Sequence, residues 1–170
     1  MRIVDISENI RKELERSGLL QEMSNLVFCD FLVIIEHGEK IIGASGIGGI
    51  LHVNTLIVQE EFRNKAIGAI LLKSVIDESK KRGYSFILAS RDPDNLNVVK
   101  LHNYFQMLPV FQVKYRKEFT RDVIFLSLNR KGKFFGKLLH IFNTKIGMSF
   151  LMLSIKLSKQ SLFRSILTYE

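Results

Sequence analysis

The sequence predicts a mixed α/β domain with a mostly antiparallel sheet, followed by a basic amphipathic helical extension. Three observations carry that expectation. Apolar, β-branched runs recur at residues 30–36, 40–47, 51–58, 84–89, 110–119 and 122–128. Two segments with helical spacing, 67–82 and 95–105, fall between them. From Lys131 onward, lysines are interspersed among aromatic and aliphatic residues with long apolar faces. Strands, helix, strand, helix and a terminal hairpin describe one layered domain over residues 1–130, with 131–170 as an extension rather than an independent domain.

The elements follow in order. Residues 8–17 form a polar-faced helix, with Ser7 as N-cap and Gly18 as its stop. His37-Gly38-Glu39 separates the first two strand runs as a hairpin turn, which makes Glu36 and His37 solvated turn residues. The cluster Gly43-Ala44-Ser45-Gly46-Ile47-Gly48-Gly49 superficially suggests a dinucleotide fingerprint. A strand follows it where a helix would be required, so a bend between twisted strands explains it better. Ile67, Ile70, Leu71, Ser74, Val75 and Glu78 trace the clearest helix, which Gly83 ends. Asp92-Pro93-Asp94 breaks the chain before the segment beginning at Asn95.

Composition narrows the class. At 170 residues, 46% hydrophobic and 25% charged, the chain has the makeup of a soluble globular protein. Cys29 is the only cysteine and lies in an apolar run, which excludes an internal disulfide and a cysteine-rich metal site. It reads as a buried small hydrophobe, and no metal is expected. The N-terminus has no apolar stretch after its charges and no apolar run is long enough to span a bilayer, so the expected compartment is the cytoplasm. The formal charge of +8 is uneven. Seven Lys and Arg residues against Glu170 give about +6 to residues 131–170, leaving about +2 for the rest.

The chemistry concentrates between residues 51 and 82. An apolar strand leads through a polar turn, Arg63-Asn64-Lys65-Ala66-Ile67-Gly68, into the long helix. The first turn of a helix has unpaired N–H groups and a partial positive charge, so this junction suits a diphosphate. It resembles the pyrophosphate loop of the GNAT superfamily of N-acetyltransferases, whose pattern is Arg/Gln-x-x-Gly-x-Gly/Ala. Arg63 and Gly68 match its ends, and Ala66 stands where the first glycine is usual. A second motif, Asn-x-x-Ala-x-x-Leu-Tyr, is matched at Asn95 and Leu101, with Val98 and His102 departing from it. Gln106 and Met107 replace the family's later Gly-Phe. The resemblance covers roughly residues 30–128.

The resemblance implies a sheet whose fourth and fifth strands splay, with the pantetheine arm of acetyl-CoA in the gap. Leu56, Ile57 and Val58 would then bond the arm through backbone groups. Arg63, Asn64, Lys65, Ala66, Ile67, Gly68 and Ala69 would hold the pyrophosphate, and Asn95 would bond the arm near its amides. Backbone shape matters more than side-chain identity there, so Ala66 is expected to have a negative φ. The implied activity is direct transfer of an acetyl group from acetyl-CoA to a primary amine. His102 occupies the position of the tyrosine that supplies the leaving thiolate's proton, or is a helix histidine with no such role. His52, eleven residues before Arg63, is a candidate general base sharing a strand face with Asn54, or a structural strand histidine, and Glu36 and His37 at the hairpin end are weaker candidates for the same role. The departures at Ala66, His102 and Gln106 keep open a non-catalytic CoA-binding or assembly module. For the extension, docking on the core or on a second copy in a homodimer stands beside peripheral contact with an anionic membrane. Nucleic acid fits it poorly because it is too apolar. The acceptor amine has no readable motif.

Overall fold

A computed structural model describes residues 1–21, 29–49, 51–63, 66–115, 119–144, 146–147 and 149. The chain divides into two compact units, residues 1–87 and 88–170. The first contains β1 (Arg2–Val4), α1 (Glu8–Arg16), β2 (Cys29–His37), β3 (Lys40–Gly48), β4 (Val53–Val58) and α2 (Ile67–Lys81). β5 (Phe86–Arg91) begins at its end and runs into the second. There follow α3 (Leu96–Tyr104), β6 (Leu108–Tyr115), β7 (Phe119–Ser127) and α4 (Arg130–Leu139).

Strands of the first unit lie in the order β1-β2-β3-β4, each antiparallel to its neighbour. α1 has the expected ends: Ser7 Oγ accepts from Ile10 N, and Gly18 turns the chain with φ +72°. Its buried residues Ile10 and Leu14 join Leu19, Leu32, Ile34, Ile41, Ala44 and Ile57 in one core cluster. Gly43, the residue before Ala44, points to the other face of the strand, where a Cβ would lie 3.0 Å from Leu71 and 3.1 Å from Ile67 of α2. The two helices therefore cover opposite faces of this sheet. Gly46 is equally crowded, since a Cβ there would come within 2.5 Å of Leu32 and 2.9 Å of the Cys29 sulfur. All of the glycine run except Gly49 sits within β3, where it admits close neighbours on both faces, and Gly49, with φ +73°, turns the chain after the strand. Cys29 packs against the core cluster, and burial pushes its thiol up to about 11, so it is no nucleophile at neutral pH.

In the second unit the order is β5-β7-β6, with β6 and β7 antiparallel. Arg91, at the end of β5, is 4% exposed and holds this unit together. Its Nε donates to Asp122 Oδ2 of β7 at 3.3 Å, and its Nη1 donates to Val99 O at 3.3 Å and to Asn103 Oδ1 at 3.1 Å, both on α3. Gln112 Nε2 donates to the other Asp122 oxygen at 2.8 Å. One guanidinium thus ties a strand, a helix and a hairpin, and sequence spacing gave no sign of it. α4 takes up the first part of the extension. Asn129 caps it by accepting from Gly132 N, and Gly136 lies against Phe125 of β7, where a Cβ would be 2.7 Å from the ring. Residues 150–170, the later part of the extension, lie outside the described residues.

Candidate functional site

The β4–α2 junction carries the phosphate-binding expectation. β4 pairs with β3 in the register Gly43↔Val58, Ala44↔Ile57 and Ser45↔Leu56. Gln59 N donates to Ile42 O at 2.9 Å, and bonding alternates along an antiparallel pair. Ile57 therefore turns its backbone groups toward β3, while Leu56 and Val58 turn theirs away from it. Val58 O already accepts from Arg63 Nε at 3.2 Å, which draws the arginine back onto the strand end. A single 3-10 turn, Glu60–Phe62, links β4 to Arg63.

Ala66 is the N-cap of α2 and has φ +58° and ψ 6°. The expectation of a negative φ is overturned. At Ala66 the chain enters α2 through a single residue in the left-handed conformation. Glycine would enter it without cost, whereas the Cβ of Ala66 adds about 1 kcal/mol of strain. The residue is exposed, so strain in its own backbone is the main cost. Ala66→Gly is expected to raise stability by about 0.5–1 kcal/mol, the relieved strain less the added freedom of the unfolded chain, read as a higher urea midpoint. An unchanged or lower midpoint would contradict this reading.

Beyond the cap, Ala69 N and Ile70 N both donate to Ala66 O, at 3.0 and 3.1 Å. The Ala69 amide is thus engaged in closing the first turn. Ile67 and Gly68 are the first two helical positions, whose N–H groups have no partner within a helix. Ile67 buries its side chain in the core, and Gly68 is half-buried. Asn64 and Lys65 lie outside the described residues.

His52 falls in the turn before β4, with φ +46°, and not within the strand. Its ring stacks on Tyr84, with centroids 4.2 Å apart, and tilts against Phe86 at 5.3 Å. The Tyr84 hydroxyl in turn donates to Asp30. Burial lowers the His52 pKa, against an opposing pull from Asp30 and the Gly49 carbonyl, so the neutral form is favoured. Its Nδ1 is buried without a partner. Asn54, expected on the same strand face, is buried and donates to Ser45 Oγ and Gly46 O, both at 3.1 Å. It holds β4 to β3.

In the second unit, Asn95 is the N-cap of α3, its Oδ1 accepting from Val98 N at 3.2 Å. The side-chain NH2 is the part left to meet a ligand. His102, two turns further along α3, is 6% exposed and its Nδ1 also lacks a partner. Burial, reinforced by the charge of Arg91, lowers its pKa to about 4. The imidazole is therefore neutral at physiological pH. Of the expected hairpin-end residues, Glu36 pairs with Arg2 at 2.9 Å and the His37 ring lies 5.7 Å from that of Phe62.

A model of the acetyltransferase (GNAT) family matches residues 4–105, well over half of the chain. The chain belongs to the GNAT acetyltransferase family. Its mixed α/β, mostly antiparallel architecture is the one expected for that membership. Among solved structures, a GNAT acetyltransferase from Streptococcus pneumoniae superposes with a TM-score of 0.63 at 12% identity, covering 75% of this chain and 99% of that one. A GNAT acetyltransferase from Elizabethkingia anophelis with acetyl-CoA bound gives 0.59 at 16% identity, covering 75% and 97%. The ribosomal-protein-S18-alanine N-acetyltransferase from Escherichia coli gives 0.59 at 12% identity, covering 75% and 94%. Likeness at this level of identity extends to the fold. No curated protein sequence matches the chain. Among the described residues of this GNAT protein, no group of three or more His, Cys, Asp or Glu side chains could hold a metal ion.

Proposed function

We propose that this GNAT protein transfers the acetyl group of acetyl-CoA to a primary amine by direct attack. The observation that carries the proposal is the left-handed residue Ala66 that opens α2, the helix next in sequence after β4 and its 3-10 turn, in a conformation that glycine adopts readily. The α2 N-terminus then receives the pyrophosphate on the Ile67 and Gly68 amides, with Arg63 and Ala66 preceding them in the chain. Leu56 and Val58 offer backbone groups to the pantetheine arm, as their direction away from β3 permits, and Ile57 supports them through its bonds to β3. By the motif it matches, Asn95 is assigned to CoA binding as well.

In the reaction, the amine lone pair forms a bond to the thioester carbon while the carbonyl electrons move onto oxygen. Their return expels the thiolate, and the proton lost by the amine balances the one that the thiolate gains. His52, kept neutral by burial, has the protonation state that a base needs. His102, at the position of the family's thiolate proton source, is neutral as well and would serve the leaving sulfur as an N–H donor. Loss of that donor in His102→Leu is expected to lower kcat about 100-fold with KM for acetyl-CoA little changed.

Gly68→Asp separates the cofactor site from the fold. A carboxylate in the first turn favours the helix but occupies the place of the pyrophosphate. Acetyl-CoA affinity should fall about 30–100-fold by calorimetry while thermal stability is kept. Equal affinity for the variant would remove the α2 N-terminus from the proposal.

The activity itself is tested by following thiol release from acetyl-CoA with a panel of polyamines, amino sugars, peptides and lysine derivatives. The proposal expects amine-dependent release. Binding of acetyl-CoA without release by any amine would favour a non-catalytic module that keeps the fold.

A further inference from the structure

α4 has two apolar faces where a helix packed on a domain surface needs one. Gly132, Gly136 and Leu139 are buried, and Gly136 touches Phe125. At about 100° per residue, Phe134 and Leu138 gather on the opposite side, roughly 150° from the buried face. They remain 67% and 42% exposed, and Ile141 and Ile146, beyond the end of α4, are 55% and 75% exposed. Solvent thus meets a phenylalanine and three aliphatic side chains between Phe134 and Ile146. Arg130, Lys131, Lys133 and Lys137 are all exposed around this stripe.

We propose that this outer face of α4 is a docking surface for an anionic lipid bilayer. Charge of one sign selects that occupant. No acidic residue occurs from Val123 to Tyr169, so the segment that carries the stripe brings cations and no carboxylate of its own to repel lipid phosphates. A second copy of the same face would set cations against cations. Lysine stems also suit the arrangement, lying along the apolar surface while their ammonium groups reach the headgroups. The stripe is short, so binding is reversible and depends on both the apolar contact and the anionic surface. Lipid docking of this face is independent of acetyl transfer and would hold for an inactive protein.

The test is co-sedimentation of the full chain with vesicles of phosphatidylcholine alone and of phosphatidylcholine with phosphatidylserine. Phe134→Gln/Leu138→Gln is the matched variant, since both positions are exposed and circular dichroism checks that the fold is kept. The expected result is binding to the serine-containing vesicles, weakened about 10–100-fold in the variant and sharply reduced by salt. Three results would overturn the proposal: no binding to anionic vesicles, equal binding by the variant, or a concentration-dependent dimer in solution that the variant abolishes without any vesicle binding. The last would assign the face to a second copy of the chain.

Discussion

Asp122→Ala is expected to cost about 3–5 kcal/mol of folding stability, far more than an ordinary surface change. Arg91 is almost wholly buried, and Asp122 is the carboxylate that its Nε meets. Removing that carboxylate leaves a guanidinium in a place that water reaches poorly, and it also strips Gln112 of its acceptor. The two bonds from Arg91 to α3, at Val99 O and Asn103 Oδ1, cannot neutralise the charge. The comparison that isolates the cause is Arg91→Met/Asp122→Leu, which removes both charges and should recover most of the loss. Urea denaturation of the three proteins measures it. A loss below about 1 kcal/mol in Asp122→Ala would mean that Arg91 finds solvent and that the pair is ornamental. The network also has a functional side, because it anchors α3, the helix that carries His102.

Acid should destabilise the protein through His102 by roughly 3 kcal/mol between about pH 7 and about pH 4. An unfolded histidine takes up its proton near pH 6.5, whereas in the fold burial and Arg91 delay this to about pH 4. Across that window the unfolded chain binds more protons, so stability falls as pH falls. Above the unfolded pKa both states are neutral and the effect vanishes. Carboxylates add their own acid dependence, so the decisive quantity is a difference. His102→Gln should show a shallower decline than the native chain from about pH 6.5 downward. Parallel curves would place the His102 ring in contact with solvent and would undo the argument for a neutral imidazole.

Much of the fold was legible in the sequence because local rules and tertiary structure agree there. Ser7 and Gly18 bracket α1, and Gly83, with φ +79°, ends α2. Where they disagree, the reason is a long-range contact. β1 has only three residues and takes its identity from pairing with β2, so no periodicity could announce it. His52 reads as part of an alternating strand, but stacking on Tyr84, more than thirty residues away, belongs to a turn with positive φ. The glycines of β3 look like a flexible bend because a one-dimensional pattern cannot show that Leu71, Ile67, Leu32 and Cys29 crowd them. For the site, the strand–turn–helix order located the junction, yet residue type alone misjudged Ala66. It takes the left-handed conformation at the start of α2, and being exposed it adds no packing clash to that strain. The low pKa of His102 was also out of reach, since it depends on burial and on Arg91.

The α2 N-terminus as an acetyl-CoA site is the claim on which the functional account rests, and calorimetric titration of acetyl-CoA into the full chain tests it most directly. The account predicts a single site with a dissociation constant on the order of micromolar, and free CoA competing for it. Absence of binding heat for both acetyl-CoA and CoA, in protein that unfolds cooperatively on heating, would contradict it.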